Sequence, residues 1–324
     1  MVAEGLRQRT TAQQILHGQG EELTDRVGNE VVVGHVRLRL HGRADGGWRL
    51  AEGGRSAAEA ARLVHTALDA GITLLDTADI YGFNGTDGFG DAEALLGEVL
   101  AAEPGLRARM VLASKGGIMP PLPYDQSADY LNAALDASLR RLKTDCIDLY
   151  QIHRPDILAH PAEVARVLDD AVAAGKVRAL GVSNFTCPQV AALNHFLDNQ
   201  LVATQPEISP LRITCFENGE LDQAMMMGLT PLAWSPLGGG RLARPESARD
   251  HAISAALDKV AGEHGVSRSV AAYSWLMAHP AGIIPIIGSQ QAERIAEGAQ
   301  AITVRWTRTD WYAVLVAARG ERLP

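Results

Sequence analysis

Cysteine is scarce in this chain. The three present among 324 residues, Cys146, Cys187 and Cys215, form neither a CxxC pair nor an even set. A disulfide framework is therefore not expected, and a reducing, cytoplasmic setting is. A basic excess is missing as well. The formal net charge is −8 and the pI is near 5.7, which argues against nucleic acid or an anionic membrane surface as partner. No apolar run is long enough to span a bilayer, and the first twenty residues lack the pattern of a secretion signal. The histidines show no H-x-x-x-H spacing and no carboxylate cluster beside them, so no metal is expected. What remains is a chain 47% hydrophobic, long enough to bury one large core.

Short β-branched runs alternate with amphipathic stretches, the mark of a parallel sheet with crossover helices. Strands are predicted at 72–76, 110–115, 146–153, 177–183, 201–205, 229–235 and 282–288. Helices are predicted at 57–70, 92–101, 127–142, 161–174 and 254–264, where apolar residues recur at three and four. Gly71 and Gly175 follow helix ends, where a left-handed residue terminates a helix at little cost. A doubly wound nucleotide-binding domain would carry G-x-G-x-x-G after an early strand, and GFNGTDGFG (82–90) does not fit it. The polar residues at strand C-termini instead point to an α/β (β/α)₈ TIM barrel, a single domain over 26–324 behind a flexible tail, 1–25. The first barrel strand is the open question, because Arg43 and Asp45 interrupt it. VVVGHVRLRL (31–40) reads as a hairpin at the barrel base. The charged run RPESARD (244–250) reads as a solvated loop, and Met225–Met227 as core filler.

Four strand ends carry side chains suited to proton transfer at a carbonyl: Asp76 and Tyr81 in LLDTADIYG, Lys115 in VLASKGG, and His153 in LYQIHRPD. A phenol with a pKa near 10 is a poor acid at neutral pH. A neighbouring ammonium stabilises phenolate, and a carboxylate paired with that ammonium keeps it charged and in place. Each residue alone has a bland reading, such as a satisfied core histidine. A lysine in an otherwise apolar strand resists that reading, because an unpaired buried charge is costly.

With these motifs in that order, the chain resembles the aldo-keto reductases from about Gly46 onward, and most of all the bacterial oxidoreductases with HRPD, VSNF, EISP and WS-x-LGGGRL segments. The resemblance implies carbonyl reduction with NADPH and a catalytic set of Tyr81, Asp76, Lys115 and His153. It assigns the nicotinamide carboxamide to Ser183, Asn184 and Gln205, and ring stacking to Trp234. Ser235, Leu237 and Gly239 would line the pyrophosphate, where backbone amides of a Gly-rich turn suit an anion. In IIGSQQAERIAEG (286–298), Ser289 and Arg294 match contacts to the adenosine 2′-phosphate and Glu297 a contact to adenine. Gly288, in the same cofactor segment, stands where some members have a lysine, so one charge contact is missing. The expected partner is a small-molecule carbonyl substrate, and family members are often monomers. The alternative is a cofactor-binding regulatory subunit resembling the potassium-channel β subunits. Metal-assisted hydrolysis lacks ligands. Substrate identity would lie in loops such as 82–90 and GGIMPPLPYDQS (116–127).

Overall fold

Side chains along a strand alternate between faces, so a barrel built from such strands has one set of residues inside and another against its helices. The computed structural model describes residues 50–51 and 54–324, together with the backbone of 29–33, 36–40 and 44–46. The tail expected over 1–25 lies outside the described residues. β1 (Asn29–Val33) and β2 (Val36–Leu40) pair antiparallel, as the hairpin reading requires. Eight strands then close a parallel barrel. They are β3 (Ala44–Gly46), β4 (Leu74–Asp76), β5 (Val111–Gly116), β6 (Ile147–Ile152), β7 (Val177–Ser183), β8 (Leu201–Gln205), β9 (Thr230–Ala233) and β10 (Ile284–Ile287). The doubtful first strand exists but is three residues long. Its neighbours hold it: β4 along its whole length, and Ile286 and Ile287 of β10 on the other side.

The seven other strands fall where the β-branched runs predict them. The helices outside are α1 (Ala57–Asp69), α2 (Asp91–Ala102), α3 (Ala128–Leu142), α4 (Pro161–Ala173), α5 (Cys187–Phe196), α6 (Glu220–Met227), α7 (Ala248–His264), α8 (Arg268–Met277), α9 (Ala292–Gly298) and α10 (Arg308–Arg319). Ser56 and Glu59 form a capping box at the start of α1, a device worth about 1 kcal/mol. Gly97 lets α2 approach α3: a Cβ there would lie 1.9 Å from the Arg141 carbonyl oxygen. An alanine at that position would force the helices apart.

Two expectations fail. The run 244–250 is not simply a solvated loop. α7 begins inside it, Ser247 Oγ accepts the Asp250 N–H, and the buried Asp250 carboxylate takes two hydrogen bonds from Arg241 at 2.7 and 2.8 Å. Nor are the three methionines all core: Met225 and Met226 are exposed, because α6 turns Leu221 and Ala224 inward. Of the cysteines, all free, only Cys215 is buried.

Inside the barrel, Leu74, Ala113, Leu149, Ala179, Ala203, Leu232 and Ile284 pack into an apolar floor. Two residues further along come Asp76, Lys115, Gln151, Gly181, Gln205 and Trp234, while on β10 the matching Ile286 stays with the apolar cluster. The period of two thus lifts a polar layer onto the floor, at the C-terminal mouth.

Candidate active site

Lys115 is fully buried, and its Nζ donates to Asp76 Oδ2 at 2.6 Å and to the Thr77 carbonyl at 2.9 Å. A buried ion pair recovers its desolvation cost only if the remaining lone pairs are satisfied. Here they are. Asp76 Oδ1 accepts from Gln205 Nε2 at 3.0 Å and from Gln151 Nε2 at 3.3 Å. Burial pulls the Lys115 pKa down, but Asp76 and Tyr81 more than offset it, so the ammonium stays above its ordinary value.

Tyr81 sits in the turn after β4, where its N–H donates to the Ala78 carbonyl and its own carbonyl accepts from Ala92. The Lys115 ammonium lies 4.8 Å from the centre of its ring. The residue keeps part of its surface open, yet burial is the largest influence on the phenol and raises its pKa; Lys115 opposes that rise without cancelling it. At neutral pH the phenol therefore holds its proton.

His153 meets Tyr81 edge-on, with ring centres 5.6 Å apart and planes at 83°. Burial first, then the charges of Lys115 and Arg154, hold its pKa well below the ordinary value, so the imidazole is neutral. Its Nδ1 is buried with no hydrogen-bond partner among the described residues. Asp79, two residues before Tyr81, is also buried. Burial first, and then the nearby Glu93, push its pKa well above the ordinary carboxylate value. Asp76, not Asp79, is the acidic side chain that pairs with Lys115.

A hydrogen-bond chain continues from His153 around the rim. Asn184 Nδ2 donates to the His153 carbonyl at 3.2 Å and to Ser183 Oγ at 2.9 Å. Ser183 Oγ donates to the Gln205 carbonyl at 2.9 Å. Trp234 Nε1 donates to Asn184 Oδ1 at 3.0 Å, which fixes the orientation of the indole. Asn184 holds a left-handed backbone, φ 60°, a conformation asparagine tolerates better than most residues. The four catalytic candidates and Ser183, Asn184, Gln205 and Trp234 thus form one connected cluster.

The other cofactor candidates occupy two further segments. The turn holding Ser235, Leu237 and Gly239 does not offer the open amide nest its glycines suggest. Gly238 and Gly239 N–H groups donate to Ser235 O and Oγ, and Gly240 N–H donates to the Leu237 carbonyl. Positive φ at Ser235 and at all three glycines lets the turn close on itself. After β10, Gly288 and Ser289 are part-buried, Ser289 Oγ accepting from Gln291 N–H at 3.2 Å. Arg294 is exposed on α9, with no ion pair or side-chain hydrogen bond among the described residues; Glu297 is part-buried.

Two neighbours escaped the sequence reading. Gln151 binds Asp76, and its signal was available: it lies two residues before His153, on the same strand face, in an apolar run. Arg55 donates to Gln290 Oε1 at 2.6 Å, tying the start of α1 to the loop beside Ser289; 235 residues of sequence separation hide that contact. A cavity of about 600 Å³ between loops 82–90 and 117–126, lined by Phe83, Phe89, Met119, Tyr130 and Arg141, contains none of the four candidates. It lies apart from the chemistry. Among the described residues no cluster of metal-ligating side chains occurs, and no helix is long and apolar enough to cross a membrane.

The aldo/keto reductase family model matches residues 44–315. The chain belongs to that family. It is an oxidoreductase of the class that acts on small-molecule carbonyls. It is 77% identical over 292 residues to a 6-dehydroglucose reductase of Novosphingobium aromaticivorans, covering 90% of this chain and 96% of the relative. A second 6-dehydroglucose reductase, from Agrobacterium fabrum, is 38% identical over 89% of this chain and 97% of its own. Among solved structures, the aldo/keto reductase of Klebsiella pneumoniae in complex with NADP and acetate superposes with a TM-score of 0.74 at 23% identity, over 89% of this chain and 94% of that one. A thermostable aldo-keto reductase, Tm1743, with the inhibitor epalrestat, gives 0.76 at 23% identity, over 89% and 99%. These two likenesses concern the barrel.

Proposed function

We propose that this aldo/keto reductase family member uses NADPH to reduce the aldehyde of 6-dehydroglucose, glucose with its C6 alcohol at the aldehyde level, to the alcohol. The buried Asp76–Lys115 pair set against a protonated Tyr81 carries the chemical part of the reading. The similarity to the two 6-dehydroglucose reductases supports the substrate.

The bound nicotinamide supplies hydride, which no side chain can. The donor set fits such a cofactor. Ser183, Asn184 and Gln205 offer the paired donor and acceptor groups a carboxamide needs, and the indole of Trp234 is held in one orientation beside them. Ser235, Leu237 and Gly239 would lie along the pyrophosphate with groups other than the glycine amides, which bond within their own turn; Glu297 would lie against adenine, and Ser289 with the exposed Arg294 at the 2′-phosphate. Gly288 leaves that phosphate without a lysine.

Tyr81 donates its proton to the carbonyl oxygen. The phenolate left behind is compensated by the Lys115 ammonium, which Asp76 keeps charged and oriented. His153 is a neutral donor. A buried N–H without an acceptor costs more than a bare lone pair, so Nδ1 carries the lone pair and Nε2 the proton. Nε2–H then donates to the carbonyl oxygen as negative charge develops there.

Tyr81→Phe removes the hydroxyl alone. Its kcat falls by about 10²-fold or more, the range for losing a general acid, while NADPH affinity holds. A variant that keeps most of its turnover refutes the donor assignment. Wild-type enzyme that oxidises NADPH with other aldehydes but not with 6-dehydroglucose refutes the substrate and leaves the chemistry standing.

A further inference from the structure

We propose that Gln151 is a positioning residue for this reaction, the group that keeps Asp76 and hence Lys115 in place while Gln205 serves the nicotinamide; the idea rests on the cofactor reading above. Asp76 Oδ2 is engaged by Lys115 at 2.6 Å, and Oδ1 by Gln205 at 3.0 Å and Gln151 at 3.3 Å. An amide nitrogen has two hydrogens to donate. Those of Gln205 face Asp76 Oδ1 and, at 3.5 Å, Gln151 Oε1. For Gln205 to donate to a carboxamide, one of these contacts must loosen. Gln151 belongs to none of the cofactor segments, so its bond to Asp76 survives whichever way Gln205 turns.

The barrel makes room for this side chain. Gln151 is fully buried, with Lys115 on β5 and Gly181 on β7 as its cross-strand partners. A Cβ on Gly181 would approach Gln151 Cγ to 3.0 Å and the Ala203 carbonyl oxygen to 3.2 Å. Gly181 has no left-handed backbone to accommodate, so crowding of these neighbours is the strain a side chain would bring. A buried amide is costly unless hydrogen-bonded, and this one donates to the carboxylate that holds Lys115 rather than to backbone.

Gln151→Met keeps length and volume but removes the donor. Its kcat falls about tenfold, the effect of losing one hydrogen bond to a charged group. NADPH Kd, read from tryptophan fluorescence, stays within about twofold, well short of the loss expected for a direct charged contact. Gly181→Ala, which crowds Gln151 without changing its chemistry, lowers kcat by less and likewise leaves the NADPH Kd in place. It keeps the test open should Gln151→Met fail to fold. Wild-type kcat in either folded variant overturns the proposal. So does a loss of NADPH affinity with kcat unchanged, since Gln151 would then act on the cofactor. Failure of the underlying reading looks different: wild-type enzyme itself would bind no NADPH.

Discussion

Removing the Lys115 ammonium separates what it does for stability from what it does for chemistry. Lys115→Met leaves Asp76 as a carboxylate, 3% exposed, whose Oδ2 has lost its 2.6 Å partner and whose Oδ1 keeps only two amides. Breaking a buried pair by deleting one member costs about 3–5 kcal/mol, against a total stability of about 5–15 kcal/mol for a protein. The single variant is therefore expected to lose a large part of its urea midpoint. Adding Asp76→Asn removes the orphaned charge, and the asparagine oxygen still accepts from Gln151 and Gln205. The double variant should recover most of the lost stability. Turnover should not return, because neither variant has a cation to compensate the Tyr81 phenolate; both fall by about 10²-fold or more. Urea unfolding followed by circular dichroism and NADPH oxidation at 340 nm measure the two halves. A Lys115→Met protein as stable as wild type would refute the buried-pair energetics. A double variant with wild-type kcat would refute the role given to the ammonium.

Three further outcomes are expected. Arg294→Ala raises the Kd for NADPH about tenfold and leaves NADH unchanged; the factor is at the low end for a charge-assisted contact because Arg294 is exposed, and equal shifts for both cofactors would withdraw the 2′-phosphate assignment. Trp234→Leu removes most of the tryptophan quench on NADPH titration and weakens binding by about 1 kcal/mol, the scale of one aromatic stack; a surviving quench places the stacking ring elsewhere. His279, packed against Phe216 and Trp311, has its pKa lowered by burial from 6.5 to about 4. The unfolded chain then binds the extra proton, so stability is lost as pH falls from 6.5 towards 4, by up to about 1.4 kcal/mol per unit. Denaturation midpoints of His279→Phe should fall less steeply over that window, and an unchanged slope would show that the imidazole is not held neutral.

The sequence by itself determined the barrel and the identity of its catalytic candidates. Periodicity is a local property, and the strand ends it predicts place Asp76, Lys115 and His153 at the C-terminal mouth of such a barrel. It could not determine β3, whose three residues carry too little pattern and are held by β4 and β10. Nor could it show that the 235–240 amides bond within their own turn, since that depends on backbone angles which a run of glycines leaves free. The tertiary structure decided the balance of forces as well. A tyrosine beside a lysine suggests a lowered phenol pKa; burial, a sum over neighbours from several elements, reverses the sign. The same closure brings Gln151 and Gln205 onto one carboxylate oxygen from strands far apart in sequence. That coincidence is written in the geometry of the closed barrel and nowhere along the chain.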